Sequence, residues 1–398
     1  MEFSPFSTVT IPRIRFGAGT LSELPALVAE YSERFLLLTG GNSFVQSDYW
    51  PRLKDALLEQ GIVFAHSTIE GEPSPQRVDE LVTRYHNEGI GAVVGIGGGS
   101  VLDAAKAVAG LLPFGNSVLD HLEDVGKGLP YRGPALPFIA VPTTAGTGSE
   151  ATKNAVLSEH GPNGYKKSFR HDTLVAKVAL VDPQLLEACP PALIAAQGMD
   201  AFTQLLESFV SLRANPYADA LAWSGLEAVA EGFMHAYAGG NTPEAQQGRA
   251  AMAYAALVSG ITLAQVGLGS VHGLAQPLGS LFPLPHGVAC GATVAAATRI
   301  NIEVMRECLP QSPALAKYAR VGRLLSGKER LAEREAQEAL VEGLERWTEH
   351  LTLPRLGQYG ITQADIPLIV ANARGNSMKT NPVELSDEAI AAIIRARL

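Results

Sequence analysis

The sequence is poor in cysteine, has no long basic run, and lacks charge entirely over one extended stretch. Its three cysteines, Cys189, Cys290 and Cys308, are an odd number and form no Cys-x-x-Cys pair, which predicts reduced thiols rather than a disulfide framework. The net charge of −9, with no Lys/Arg-rich segment, argues against nucleic acid or an anionic membrane as the main partner. Residues 1–6 have neither a basic region nor an apolar run, so no signal peptide is expected and a cytoplasmic location is predicted.

Residues 250–298 contain no Asp, Glu, Lys or Arg, although 18% of the chain is charged. Glycines and prolines interrupt this stretch, so no apolar run of about 20 residues survives that would suit a membrane helix. We therefore predict the buried core of a helical domain. His272 and His286 lie in it, and a buried imidazole requires a polar partner. That partner is a metal ion or a backbone carbonyl, and the two histidines alone favour the carbonyl.

The 398 residues are enough for two domains. In the first half, short apolar runs alternate with helical patterns, and Ser74-Pro75 is expected to begin a helix. This alternation predicts a Rossmann-like parallel sheet with helices on both faces, whereas nearly everything after Pro190 is typical of helix. The prediction is an α/β dinucleotide-binding domain over 1–190 and an all-α metal-binding and substrate domain over 191–398. The predicted strands are 35–39, 62–65, 92–96, 138–141 and 178–181.

Three consecutive glycines, Gly97, Gly98 and Gly99, lie between the third strand and a helix and are followed by Ser100. Such glycines let backbone N–H groups approach an anion, and the helix N-terminus adds partial positive charge, so dinucleotide pyrophosphate is the expected ligand. The alternative is a tight turn in which Ser100 is the N-cap and Asp103 completes a capping box. Three glycines exceed what a turn requires, which favours the phosphate role.

The loop after the fourth strand carries four hydroxyl side chains, from Thr143, Thr144, Thr147 and Ser149. In doubly wound sheets, ligands bind at the edge where the strands end. The alternative is a Ser/Thr-rich surface loop. Two hydroxyl- or glycine-rich loops behind neighbouring strands favour a cofactor cleft.

Together these segments resemble the iron-containing, or group III, alcohol dehydrogenases, and the similarity covers essentially the whole chain. The resemblance implies the dehydroquinate synthase-like fold of that family, in which a cleft between the two domains holds NAD(P)H and a divalent metal, Fe²⁺ or Zn²⁺. It also implies a homodimer. The motifs that carry it are Arg15-Phe-Gly-Ala-Gly19, Gly97-Gly-Gly-Ser100-x-x-Asp103-x-x-Lys106, Pro142-Thr-Thr-Ala-Gly-Thr-Gly-Ser-Glu150, Gly198-Met-Asp200-Ala, the segment with His272 and His286, and Asn381-Pro382.

The resemblance assigns the metal to Asp200, Gln204, His272 and His286, because family members use an Asp, a His four residues later, and two more His 14 residues apart. Gln204 replaces the usual His. Asp200 and Gln204 share one helix face, and an amide oxygen is a harder, weaker donor than imidazole. We favour metal binding over the alternative. In that alternative, Gln204 only forms hydrogen bonds within the core and the metal site is weak or empty.

The predicted catalytic set is Asp200, His272, His286 and Gln276. Many family members have a further active-site His four residues after the first metal-binding His of this segment, where this chain has Gln276. Glutamine cannot relay a proton, so the resemblance leaves the source of the proton open.

The cofactor choice is predicted from Gly40, Gly41 and Asn42, which follow the first strand. NAD-preferring relatives often have Asp at the position of Gly40, where it would meet the ribose 2′-hydroxyl and repel a 2′-phosphate. This chain lacks that charge, so NADP(H) is favoured over NAD(H). Lys166 falls where the family has a cofactor-contacting lysine; the alternative is an exposed loop lysine.

The predicted function is a metal-dependent, NAD(P)H-linked alcohol dehydrogenase or aldehyde reductase acting on a small alcohol or aldehyde. One alternative is a metal-independent reductase of the maleylacetate type. The other is a nucleotide-binding relative in which Gln204 and Gln276 have abolished catalysis.

Overall fold

The computed structural model describes residues 5–159 and 164–398. Internal contacts divide them into two compact units, Val9–Cys189 and Pro190–Leu398, with residues 5–8 grouped with the second. The first is an α/β unit and the second is helical, which confirms the fold class predicted from the sequence.

The described part of the first unit is built on a six-stranded parallel sheet and a separate antiparallel hairpin. The sheet order is β1-β8-β5-β4-β2-β3, and β6 pairs with β7. The strands are β1 (Arg13–Phe16), β2 (Arg34–Gly40), β3 (Val63–Ile69), β4 (Ala92–Gly97), β5 (Phe138–Pro142), β6 (Asn154–Glu159), β7 (Tyr165–Arg170) and β8 (Val178–Val181).

Helices cover both faces of the sheet, as the strand–helix alternation predicts. Along β2, Phe35 and Leu37 pack into the core on one face, while Leu36 and Leu38 pack into the core on the other. The period of two follows from the pleat, and burial on both faces explains why the strand is a continuous apolar run. The helices are α1 (Leu24–Ala29), α2 (Tyr49–Glu59), α3 (Pro75–Tyr85) and α4 (Gly99–Leu111).

The second unit consists of packed helices. Within the charge-free stretch they break where the glycines and prolines lie, between 266 and 270 and between 281 and 286. The helices are α5 (Pro191–Val210), α6 (Pro216–Ala238), α7 (Pro243–Val266), α8 (Ser270–Leu281), α9 (His286–Cys308), α10 (Pro313–Ser326), α11 (Glu333–His350), α12 (Ile366–Asn372) and α13 (Asp387–Arg395).

Among the described residues, α7 and α9 are long and apolar enough to cross a membrane by length and composition. Most of each helix is nevertheless buried, 67% of the apolar window in α7 and 78% in α9, as in the core helices of a globular unit.

Candidate metal and cofactor sites

Three polar side chains lie on one buried face of α5, namely Asp200, Gln204 and Glu207. Their spacing of four and then three residues places them one above another along the helix. The rest of the helix is strongly apolar, and a buried polar group is costly unless it has a partner. Each of the three therefore points to a specific interaction within the helical unit.

Glu207 organises the beginning of α8. Its carboxylate accepts hydrogen bonds from the backbone N–H of Gly269 at 3.0 Å and of Val271 at 2.7 Å, and so caps the helix N-terminus. A Cβ at Gly269 would lie 2.9 Å from Glu207 Oε1, so glycine permits this close approach. Asn381 Oδ1 accepts the next N–H, from Ser270, at 3.0 Å.

The same carboxylate orients His272. The Nδ1 atom of His272 lies 2.7 Å from Glu207 Oε2, and Nε2 lies 3.2 Å from Asp200 Oδ1. When Nδ1 donates its hydrogen to the carboxylate, Nε2 keeps a lone pair for a metal ion. Glu207 thus holds the position that the outer carboxylate would have in a carboxylate–histidine–metal arrangement. Glu207 was not among the predicted site residues, although its position seven residues after Asp200 on the same helix face was a usable signal.

His286 is the first residue of α9 and approaches the same carboxylate, with Nε2 3.7 Å from Asp200 Oδ1. The next residue lets α9 pack directly on α5, because a Cβ at Gly287 would lie 2.5 Å from the carbonyl oxygen of Ala196. Three of the four predicted metal-binding residues are therefore brought together from helices that are far apart in sequence.

A fourth potential ligand in the cluster is Cys290, which sequence analysis did not select. Ligand atoms of Asp200, His272, His286 and Cys290 all lie within 4.8 Å of one another. Cys290 follows His286 by four residues and so lies on the same face of α9. That spacing was visible in the sequence.

Gln204 lies beside the cluster with its amide nitrogen toward it. Gln204 Nε2 donates to Asp200 Oδ1 at 3.0 Å, and Gln204 Oε1 accepts a hydrogen bond from Ser259 Oγ at 2.7 Å. The amide oxygen that was expected to bind the metal is thus directed at Ser259. Gln204 as a direct ligand stays a prediction from the sequence.

The electrostatics of the cluster favour a bound cation. Burial would raise the pKa of Asp200, but the charge of His286 and hydrogen bonds from His272 and Gln204 outweigh burial and hold it at about 2. Burial would likewise lower the pKa of His272, but Cys290, Asp200 and Glu207 raise it well above its usual value. Oδ2 of Asp200 is buried without a hydrogen-bond partner among the described residues. A divalent metal bound by the Asp200 carboxylate would supply positive charge to this buried group, so the residues present fit such an ion.

Gln276 follows His272 by one turn of α8 and is half-buried. Its Oε1 lies 3.1 Å from the position that a Cβ at Gly375 would occupy. Its place on the helix face of His272 agrees with a position near the metal, and its catalytic role stays a prediction.

In the α/β unit, the predicted cofactor residues lie along the edge of the sheet where the parallel strands end. Gly40 ends β2 and Gly97 ends β4, and the register pairs Gly97 with Pro142 on β5. The chain passes from β2 to β3 and then returns to β4 on the other side of β2, so the strand order reverses between β2 and β4. Ligands of doubly wound sheets bind at the carboxyl ends of the strands at such a reversal. Gly41 and Asn42 continue the chain there after β2.

The glycine loop forms the start of α4, with Gly98 as its N-cap. The alternative with Ser100 as the N-cap of a capping box is therefore wrong, because the helix begins at Gly99 and Ser100 lies inside its first turn. A Cβ at Gly98 would lie 3.3 Å from the side chain of Thr144, and one at Gly99 would lie 2.7 Å from Thr147 Oγ1. The two predicted cofactor loops are thus packed against each other.

Asp103 and Ser149 belong to a buried network that holds the second loop on α4. Asp103 accepts hydrogen bonds from Ser149 Oγ and from the N–H of Val156. Lys106 is fully buried, and its ammonium donates to Ser149 O at 2.9 Å, Thr152 Oγ1 at 3.1 Å and Asn154 O at 2.6 Å. This geometry gives Asp103 and Ser149 a positioning role, whereas their direct contact with a cofactor stays a prediction.

Two other predicted cofactor residues have defined surroundings. Thr143 follows β5, and its N–H donates to the carbonyl oxygen of Gly97 at 3.0 Å, which ties the two loops together. Lys166 lies on β7, where its Nζ is 2.6 Å from Glu72 Oε1. Its expected contact with a cofactor is not tested by this geometry.

Known protein families and solved structures match this chain over most of its length. A sequence family described as iron-containing alcohol dehydrogenase matches residues 12–183, and the C-terminal family of Fe-containing alcohol dehydrogenases matches residues 194–398. Long-chain-alcohol dehydrogenase 1 of Geobacillus thermodenitrificans is 31% identical over 97% of this chain and 95% of its own. A 1,3-propanediol oxidoreductase superposes with a TM-score of 0.88 at 27% identity, over 99% of this chain and all of its own. The sulfoacetaldehyde reductase of Bifidobacterium kashiwanohense, solved with NAD⁺, superposes with a TM-score of 0.84 at 27% identity over 99% of both chains.

Proposed function

Because the chain belongs to the iron-containing alcohol dehydrogenase family, we propose that it is a metal-dependent, NAD(P)H-linked reductase of small aldehydes that also oxidises the corresponding alcohols. The observation that carries the proposal is the convergence of Asp200, His272 and His286 on one buried point, beside a carboxylate oxygen with no protein partner among the described residues.

The protein groups hold and orient the reactants. Asp200 stays ionised, and Glu207 fixes the tautomer of His272, so a metal ion finds its ligands already in place. The glycine loop and the start of α4 offer backbone N–H groups to the cofactor pyrophosphate. A metal held by Asp200, His272 and His286 would supply a Lewis acid for the substrate oxygen, and a bound nicotinamide cofactor would supply the hydride chemistry.

The proton requires a carrier other than Gln276, because a carboxamide has no proton to exchange at neutral pH. A water molecule, or a ribose hydroxyl of a bound cofactor, would take this role in our proposal. Gln276 then acts as a hydrogen-bonding residue that orients the substrate, one turn along α8 from His272.

The test combines elemental analysis with a panel of aldehydes and alcohols, each assayed with both cofactors. The named relatives act on a long-chain alcohol, on 1,3-propanediol and on sulfoacetaldehyde, so the panel should span chain length and charge. Activity that survives exhaustive chelation, with no metal in the protein, would instead support the metal-independent reductase. Tight NADPH binding without turnover on any member would support the relative without catalysis.

We propose NADP(H) as the preferred cofactor, because the loop after β2 offers N–H groups and carries no acidic side chain in residues 40–43. Glu70, which follows β3, opposes this preference. Its Oε1 lies 3.8 Å from the position of a Cβ at Gly41, so its carboxylate faces the same loop. Glu70 would repel a 2′-phosphate bound there, whereas residues 40–43 carry no charged side chain.

Gly40→Asp is expected to weaken NADPH binding roughly tenfold or more while NADH affinity changes little, because like charges repel at the 2′-phosphate. A Cβ is accommodated at this position, since at Gly40 it would lie 3.9 Å from the nearest atom, on Val101. Dissociation constants for both cofactors, measured by nicotinamide fluorescence at fixed ionic strength, give the result.

Gly40→Ala is the matched control, because it adds the same Cβ without charge and should leave the ratio of the two affinities unchanged. Glu70→Gln should move that ratio in the opposite direction, toward NADPH. An equal effect of Gly40→Asp on both cofactors would place the ribose away from β2 and overturn the proposed preference.

We further propose a cytoplasmic homodimer, on the expectation from the family. Light scattering of the purified protein gives the subunit number.

A further inference from the structure

The cluster of candidate metal ligands includes a sulfur atom, Cys290 Sγ, from a residue that is not among the ligands implied by the family resemblance. Cys290 Sγ lies 3.7 Å from His272 Nε2 and 3.8 Å from His286 Nε2, and the cysteine is fully buried. The amide oxygen of Gln204 is meanwhile engaged by Ser259. Cys290 Sγ is therefore available, in place of Gln204 Oε1, to complete the set of protein ligands around the ion.

Four of the six separations between the ligand atoms are close to the edges of a coordination tetrahedron. Bonds of about 2.1 Å to nitrogen and 2.3 Å to sulfur at tetrahedral angles place sulfur and nitrogen roughly 3.6 Å apart. The observed separations of 3.7 and 3.8 Å agree with that value. The same construction gives about 3.4 Å between an oxygen and a nitrogen ligand, and Asp200 Oδ1 lies 3.2 Å and 3.7 Å from the two imidazoles.

The local sequence explains the placement of sulfur. His286 and Cys290 are one turn apart on the first part of α9, so both side chains face α5 and α8. The formation of a metal–sulfur bond breaks the S–H bond and releases one proton to the buffer, with no change of oxidation state.

We propose that Cys290 Sγ is the fourth protein ligand, so that the metal is held by Asp200, His272, His286 and Cys290. Gln204 is then a positioning residue that holds Asp200 through its amide N–H. The inference rests on the proposed function in that a divalent metal binds. Zinc sites can expand to five ligands, which leaves a place for a substrate oxygen, and a thiolate selects Zn²⁺, Co²⁺ or Fe²⁺ over Mg²⁺ or Mn²⁺.

The test replaces the native metal of the full-length protein with Co²⁺ under anaerobic conditions and records the absorption spectrum. We expect a sulfur-to-cobalt charge-transfer band in the near ultraviolet that saturates at one Co²⁺ per chain, together with visible bands of tetrahedral cobalt. Cys290→Ser should lose the near-ultraviolet band. Cys308→Ser and Cys189→Ser are the matched controls and should keep it, and they assign the band by elimination even if Cys290→Ser does not fold.

The outcomes separate this inference from the proposed function. Wild-type protein that binds one Co²⁺ without a charge-transfer band, or Cys290→Ser that keeps the band, would overturn thiolate ligation and leave the metal-dependent function intact. Wild-type protein that binds no Co²⁺ would overturn both.

Gln204→Leu tests the position that the resemblance assigned to a ligand. We expect it to keep the charge-transfer band and to bind one Co²⁺ per chain, with an affinity that falls by less than that of Cys290→Ser. Loss of cobalt from Gln204→Leu, with full retention by Cys290→Ser, would restore Gln204 as the ligand and overturn the assignment to Cys290.

Discussion

Asp200→Ala should abolish alcohol and aldehyde turnover while NADPH binding stays intact. Asp200 contributes the charged oxygen of the metal cluster, and its hydrogen bonds with His272 and Gln204 are lost with it. A Lewis acid contributes several kcal/mol to transition-state stabilisation, so the expected loss in kcat/KM is roughly a thousandfold or more. Metal content after dialysis should fall in parallel, whereas the glycine loop is in the other unit and keeps the dissociation constant for NADPH.

Asp200→Asn is the matched variant, because it preserves the shape of the side chain and removes the charge. It should also lose the metal and most of its activity, while far-ultraviolet circular dichroism stays that of the wild type. Turnover retained in Asp200→Asn would show that the metal has no part in the reaction and would favour the metal-independent reductase.

Gly98→Asp should remove cofactor affinity while the fold survives. Gly98 is the glycine of its loop at which a side chain fits best, because its Cβ would meet Thr144 at 3.3 Å, whereas Cβ atoms at Gly97 and Gly99 would meet Val101 and Thr147 at 2.5 and 2.7 Å. The new carboxylate would face the bound pyrophosphate. Two charges 4 Å apart interact by about 4 kcal/mol at an effective dielectric constant of 20, and solvent reduces this, so we expect affinity to fall about 30-fold or more.

Gly98→Ala separates charge from bulk. It introduces the same contact with Thr144 and should weaken NADPH binding much less than Gly98→Asp does. Titration calorimetry with NADPH measures both variants, and metal content serves as the check that the helical unit is unaffected. Unchanged affinity in Gly98→Asp would mean that the pyrophosphate binds elsewhere.

The central strands of the α/β unit could be predicted because their residues are buried on both faces, which leaves continuous apolar runs such as Phe35–Leu38. The hairpin of β6 and β7 was missed for the complementary reason. Strand β7 is Tyr-Lys-Lys-Ser-Phe-Arg, of which only Phe169 is buried, so it has no apolar run. Strand β1 was missed likewise, since all four of its residues are exposed.

In the metal cluster, His272 and His286 could be selected because they lie in a stretch without charged residues, whereas Asp200 was selected from the ligand spacing that the family resemblance implies. Glu207 and Cys290 were not predicted because their roles depend on contacts with residues that are not their neighbours in the sequence. Glu207 caps a helix that begins more than 60 residues later. The sulfur of Cys290, on α9, contacts His272 on the neighbouring helix α8. No local pattern records such pairings, although the helical spacings from Asp200 and His286 are consistent with them.

The carboxylate of Glu207 couples the binding of a metal ion at His272 to the ordering of the first turn of α8. It holds the first amides of α8 and the Nδ1 atom of His272 at once, so an ion that binds His272 selects conformers in which that helix has already begun. By linkage, anything that orders the start of α8 also raises the affinity for the ion. Asn381, which holds the next amide, extends this cooperative unit to the segment near the end of the chain. If the proposed metal binds His272, these hydrogen bonds are the route by which its loss would affect the start of α8 and Asn381.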